Sequence, residues 1–132
     1  MTPPESGAVW TGLSADALPI VAVHQFLADA SAGGTAVFVG TTRRWTGTTE
    51  TVALDYHAYS AMAEASLSAL AHDARQRGGL KVVALHRLGV VSPTEASVVV
   101  GVASAHRDTA FRECRRLIDR LKSDTPIWKR DL

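Results

Sequence analysis

The side chains with chemistry to offer in this sequence are cations. Arg43 and Arg44 follow a β-branched run, His106 and Arg107 open a segment of helical periodicity, Lys122 closes that segment, and Lys129 follows Pro126 and Trp128. Such groups gather anions: guanidinium forks match phosphate and carboxylate oxygens, while ammonium groups supply point charges and protons. Each also has a plainer role. Arg43 and Arg44 can solvate a turn, and Lys122 near a helix C-terminus is favoured by the helix dipole whatever else it does. The His106–Arg107 pair is less ordinary, because two cations in a helix's first turn oppose that dipole by a few tenths to about 1 kcal/mol. Asp108 offsets part of this, and an anion held by the free N–H groups and both side chains would offset more. Lys129 follows a Trp in a segment where Pro126 has already ended the helix. Ile127 and Trp128 can pin that segment and so hold Lys129 in place, or simply complete the core.

Other chemistries lack their residues. Cys114 is the only cysteine, which excludes an internal disulfide and a zinc site built from cysteines, and suits a reducing compartment, with cytoplasm as the default. It shares an apolar stripe with Phe111, Leu117 and Leu121, so packing is the expected role rather than sulfur relay. No Cys or His cluster has ligand spacing, so no metal site is expected. The glycines of GGTAVFVG flank a strand instead of opening a helix, which sets nucleotide cofactors aside, and no cofactor is expected. His86 lies in a strand-like run that favours a structural hydrogen bond. His57 and His72 carry no usable signal.

The elements that must position the cations read as alternating strands and helices. With 132 residues, 46% of them hydrophobic, the chain supports one core and a single domain over 1–132. The formal charge of +1 provides no overall field toward nucleic acid or an anionic membrane, so neither is expected as a partner. The Pro-rich start lacks a signal-peptide pattern, and no apolar run reaches the roughly 18 residues that span a bilayer. A short strand near VWTGLS precedes a helix carrying Val21, Phe26 and Leu27 that stops at Gly33–Gly34. TAVFVGTTR and TVALDYHAY read as strands joined by RWTGT into a hairpin or longer β-arm, with Gly47 supplying the turn. Ser60 to Arg77 reads as a helix with Met62, Leu67, Leu70 and Ala74 on one face, Ser60 as N-cap and Gly78 as the stop. LKVVALHRLGVV and ASVVVGVASAH are strands joined by SPTE as an antiparallel pair. A last helix carries Phe111, Cys114, Leu117, Ile118 and Leu121. The order predicts an α+β fold with a largely antiparallel sheet and helices packed on one face.

Taken together, FVGTTRRW, LDYHAYSAMAEASLSALAHDAR, LHRLGVV and EASVVVGVASAHRDTAFRECRRLIDRLKSDTPIWKRD resemble the large, catalytic subunit of molybdopterin synthase, the MoaE family, from about Gly34 to Asp131. The most specific pieces are SAHRDTAF and RLKSDTPIWK. The resemblance implies an α/β-hammerhead type of fold and a sulfurtransferase of molybdenum cofactor biosynthesis. Such an enzyme converts cyclic pyranopterin monophosphate to molybdopterin with two sulfurs from a small ubiquitin-like carrier subunit ending in a Gly-Gly thiocarboxylate. This chain has Gly33–Gly34 inside and Asp131–Leu132 at its end, so it would be the acceptor of the carrier's tail. By motif position Lys122 and Lys129 match the catalytic lysines, Arg43 the strand-end arginine, and His106 and Arg107 the helix-start pair, the last three as substrate-binding residues. Lys122 is expected nearest the reacting carbons, and Lys129 on thiocarboxylate or phosphate. The resemblance further implies a homodimer at the centre of a heterotetramer.

Two departures stand out. Relatives continue the strand-end arginine with an acidic or amide residue and then a histidine, where this chain has Arg44 and Trp45. Many also carry an acidic and aromatic tail beyond WKRD, with an arginine that reaches the neighbouring subunit's site. These motivate a rival reading, a non-catalytic paralogue that docks the sulfur carrier without turnover. An α+β binding module for RNA or protein is the other rival, and the neutral charge and lack of paired strand aromatics argue against RNA.

Overall fold

The computed structural model describes residues 1–132. Its centre is a strand pair whose sequences are almost unbroken apolar runs, β6 (Gly79–Arg87) and β8 (Ala96–Ser104), antiparallel with Val83 opposite Gly101 and Leu85 opposite Val99. Runs of this kind suit strands buried on both faces. Val82, Ala84, Val98, Val100 and Val102 enter one core cluster, while Val83, Leu85, Val99 and Ala103 enter another. The alternation is the period of two of a pleated strand. β1 (Val9–Ser14) lies parallel to β6, and β2 (Gly34–Thr41) antiparallel to β8, giving the order β1-β6-β8-β2.

The α+β class and the antiparallel bias are as the sequence predicts, and the two long helices do share a face. α2 (Ser60–Gln76) and α3 (Arg107–Asp124) bury Leu67, Leu70, Ala74, Cys114, Leu117 and Leu121 against it. α1 (Ile20–Leu27) departs from the one-face expectation, packing Val23 and Leu27 on the opposite side with Trp10 and Leu18. It also ends at Leu27, well before Gly33. Three residues assigned to helix core faces lie outside: Val21, Met62 and Phe111 are 72%, 64% and 68% exposed. Gly78 stops α2 with φ +116°, a conformation costly for any residue with a Cβ. The N-cap of α2 is Tyr59, one residue before Ser60, and no side chain caps it.

The anticipated long hairpin is replaced by a division of labour. β2 stays in the central sheet, and a small ribbon of β3 (Trp45–Thr46) and β4 (Thr49–Glu50) turns at Gly47, φ +60°. β5 (Leu54–Ala58) then starts a second sheet. The run LKVVALHRLGVV is likewise two strands. Gly89 at φ +85° breaks it, and β7 (Gly89–Val91) leaves β6 to pair with β5. The third member is β9 (Ile127–Asp131), formed by the apolar tail and antiparallel to β5, so the second sheet has the order β7-β5-β9.

Candidate functional site

Lys122 occupies the last turn of α3, where the helix dipole favours a cation. Three residues on, the Thr125 N–H still bonds the Leu121 carbonyl (3.1 Å), and Pro126, which has no N–H to give, hands the chain to β9. The register of β9 on β5 then decides where Lys129 points. Residues directly opposite in an antiparallel pair put their side chains on the same face. Tyr56 faces Lys129, Asp55 faces Arg130 and His57 faces Trp128. Arg130 reaches Asp55 at 3.4 Å, and the rings of His57 and Trp128 stack with centroids 6.2 Å apart, while Tyr59 packs on Trp128 at 4.9 Å. Those contacts sit on one side of the ribbon. Tyr56 and Lys129 therefore fall to the other, which looks onto the end of α3.

A cleft of about 140 Å³ lies there, walled by Lys122, Lys129, Tyr56, His86, Ser97 and Thr125 among others. The two lysines that sequence places seven residues apart thus share one hollow. A larger, more apolar groove of about 640 Å³ runs between β2 and α3 beside Phe38, Phe111 and Cys114, and Lys122 borders it too. The smaller cleft gathers the groups with chemistry to offer: both ammonium groups, an imidazole and three hydroxyl-bearing side chains, those of Tyr56, Ser97 and Thr125.

His86 is 6% exposed. Its Nδ1 lies 2.7 Å from the Arg87 carbonyl oxygen, which can only accept, so Nδ1 carries the proton and donates. Burial pushes its pKa below the ordinary 6.5, the bond to Arg87 works against this, and the nearby Lys122 charge adds to the lowering. The ring is neutral at pH 7, edge-on to Tyr56 with centroids 4.9 Å apart. The sequence reading gave His86 its structural hydrogen bond and missed its place on the cleft wall. It missed Tyr56 and Ser97 altogether. A histidine near the end of a strand, in LHR, was the available signal.

The remaining cations divide between two ends of the molecule. Thr41 pairs with Ala96, and Thr42 is fixed by bonds from its N–H to the Glu95 carbonyl (3.2 Å) and to its carbonyl from the Thr94 N–H (3.1 Å). Arg43 therefore projects at the same end of the sheet as Ser97 and Lys122, exposed and outside the cleft wall. Arg44 is engaged on the ribbon, 3.2 Å from Glu50 and 5.7 Å over the Trp45 ring. His106 and Arg107 lie at the start of α3, beside Gly33 and Gly34, whose missing side chains let β2 begin against the Ala105 carbonyl and the Arg107 backbone. At 1.5 Å per residue they stand ~24 Å along the axis from Lys122. Within one chain the helix-start pair and the lysine cleft lie at opposite ends of α3.

Cys114 is buried, and desolvation pushes its thiol up to about 11. It is a packing residue. No three His, Cys, Asp or Glu side chains gather as a metal site, and no helix is long and apolar enough to cross a membrane.

Comparison with known proteins adds an independent line. The family model described as MoaE protein matches residues 13–124. The chain is similar to the molybdopterin synthase catalytic subunit of Thermoplasma volcanium, 43% identical over 102 residues, covering 76% of this chain and 74% of the relative. The human protein of that name is 37% identical over 120 residues, 90% of this chain and 64% of the relative. Against the Drosophila erecta relative the identity is 42% over 89% of this chain, which spans only 32% of that longer protein. Among solved structures, Staphylococcus aureus molybdopterin synthase superposes with a TM-score of 0.86 at 28% identity, covering 92% of this chain and 89% of that one. A chain from the Helicobacter pylori complex of subunits 1 and 2 of molybdopterin-converting factor superposes with a TM-score of 0.76 at 25% identity, covering 96% and 85%.

Proposed function

This chain belongs to the MoaE protein family, and from that premise we propose that it is the catalytic subunit of a molybdopterin synthase. Its substrate is cyclic pyranopterin monophosphate, and a small ubiquitin-like carrier subunit delivers two sulfurs from its Gly-Gly thiocarboxylate. The observation that carries this reading is the common cleft of Lys122 and Lys129. Substrate phosphate, pterin oxygens and the carrier's terminal group are anionic or become so, and fixed cations stabilise such charge best where they need no reorganisation. Lys122, on the rigid end of α3, acts at the reacting carbons as proton donor or oxyanion partner. Lys129 holds the thiocarboxylate or phosphate beside it. Arg43, projecting at the same end, binds the substrate's outer anionic groups.

His106 and Arg107 bind phosphate and pterin only if a second copy presents the start of its α3 to this cleft, which a homodimer would do. The carrier partner agrees with the two-subunit complex formed by the Helicobacter pylori relative. The test is to mix the purified chain with thiocarboxylated small subunit and the cyclic pterin and assay molybdopterin. Product is expected from the wild type and none from a folded Lys122→Ala variant. Retained turnover in that variant would refute the assignment. Carrier binding without product in the wild type would place the chain with the non-catalytic reading, which the departure at Trp45 helps to motivate.

A further inference from the structure

We propose that His86 is a positioning residue for Lys122: the two side chains wall one cleft without a hydrogen bond between them in this structure, and a rotamer change of the lysine lets its ammonium donate to the neutral Nε2, which aims the remaining N–H groups at the bound anion. The inference deepens the reading of the lysine cleft and rests on it for its catalytic consequence, though the pairing itself does not.

Four observations converge. His86 and Lys122 come from β6 and α3 and wall the same cleft. The ring is locked by burial, by the edge contact of Tyr56 and by the Nδ1–H bond to the Arg87 carbonyl. That bond consumes the ring's one proton, so Nε2 is left as a lone pair with no protein partner, on a residue that lines the cleft. Lys122, an exposed side chain on the same wall with three donors, is its complement. A long flexible side chain that must present a charge to substrate gains from such a tether, because an untethered ammonium spreads over many rotamers.

The charges around the ring set the pH behaviour. Lys122 from α3 and Lys129 from β9 face it, as does the phenol of Tyr56 from β5. β8 contributes the neutral Ser97 and β1 aligns Leu13 with it, while α2 reaches only the rim, through Ser66 bonded to Thr125 at 2.8 Å. On its own strand Arg87 turns away to Glu95, at 2.9 Å. A protonated His86 would be a third cation among these and could no longer accept. Lys122 would be released, and turnover should fall as pH drops through the His86 titration, which lies below 6.5.

Two measurements decide the matter. In the first, the His86 ring is titrated by NMR in the wild type and in Lys122→Met, with no substrate present. The expected result is an Nδ1–H tautomer at neutral pH and a His86 pKa that rises when the lysine charge is removed; an unmoved titration overturns the pairing. The second compares His86→Asn with His86→Gln, both checked for wild-type melting behaviour. Asn can keep the donor to the Arg87 carbonyl but offers nothing at the Nε2 position, while Gln restores an acceptor there. A positioning role predicts that Asn lowers kcat about tenfold, the worth of one charge-assisted hydrogen bond, with KM little changed. Gln should recover part of that loss and abolish the acid limb of the pH profile. Equal or better activity in the Asn variant would mean that the ring serves only the fold. If no variant and no wild-type sample makes molybdopterin, the activity reading fails and the NMR titration still decides the pair.

Discussion

His86 and Cys114 illustrate at the residue scale how burial separates groups that sequence leaves alike. Both are reactive types, His86 on the lysine cleft and Cys114 beside the larger groove, and desolvation keeps both in their neutral forms, raising the thiol and lowering the imidazole. For Cys114 this means a thiolate fraction near 10⁻⁴ at neutral pH, roughly what a thiol pKa about four units above pH leaves. Replacing Cys114 with Ala should leave sulfur transfer intact in the molybdopterin assay, at a stability cost of about 1 kcal/mol for the lost packing. For His86 the consequence is a pH-dependent stability. Its folded pKa lies below its unfolded value, so between the two the unfolded chain binds more protons, and stability falls as pH drops below 6.5. Chemical denaturation of the wild type should show that slope, and His86→Gln should flatten it; an identical slope in both would exclude His86 as its source.

β9 carries the corresponding lesson at the scale of elements. Its apolar residues do not fill a core: Ile127 is half-buried and Trp128 is 46% exposed, stacked on His57 with the tilted ring of Tyr59 packed against it. Their work is to fix register, since a slip of one residue would carry Lys129 from the cleft to the opposite face of the ribbon. Trp128→Ala should therefore cost about 1–2 kcal/mol of stability, the worth of two aromatic contacts and some buried area, and lower turnover more than that loss of fold explains. Trp128→Phe should recover most of both. Equal kcat in the Ala variant and the wild type at a temperature where both are folded would show that the stack does not orient Lys129.

Over the whole molecule, the length of α3 divides the cationic set into one group at the lysine cleft and another beside Gly33–Gly34. A site needing both must draw on two copies, an isologous arrangement in which each subunit completes the other's cleft. Mixing Lys122→Ala with Arg107→Ala chains under conditions of subunit exchange should then restore roughly a quarter of wild-type activity, because half the dimers are mixed and each has one intact site. If each variant is inactive alone and the mixture stays inactive, the site is not shared.

What sequence determines by itself here is local. The valine runs of β6 and β8, the apolar stripes of α2 and α3, the stop at Gly78 and the cationic motifs are legible because side-chain period and turn chemistry act over a few residues. Even so, the edges of a stripe were not, and Val21, Met62 and Phe111 prove exposed because a neighbour's coverage, not helical phase, decides which flanking positions are buried. Tertiary structure alone decided that β2 and β5 join different sheets, that the tail becomes a strand, that Lys129 meets Lys122 and His86, and that His106 and Arg107 do not. Pairings of this kind depend on chain closure and on competition among strand edges across the whole fold, and no spacing along the chain encodes the distance between the two ends of a finished helix and a cleft.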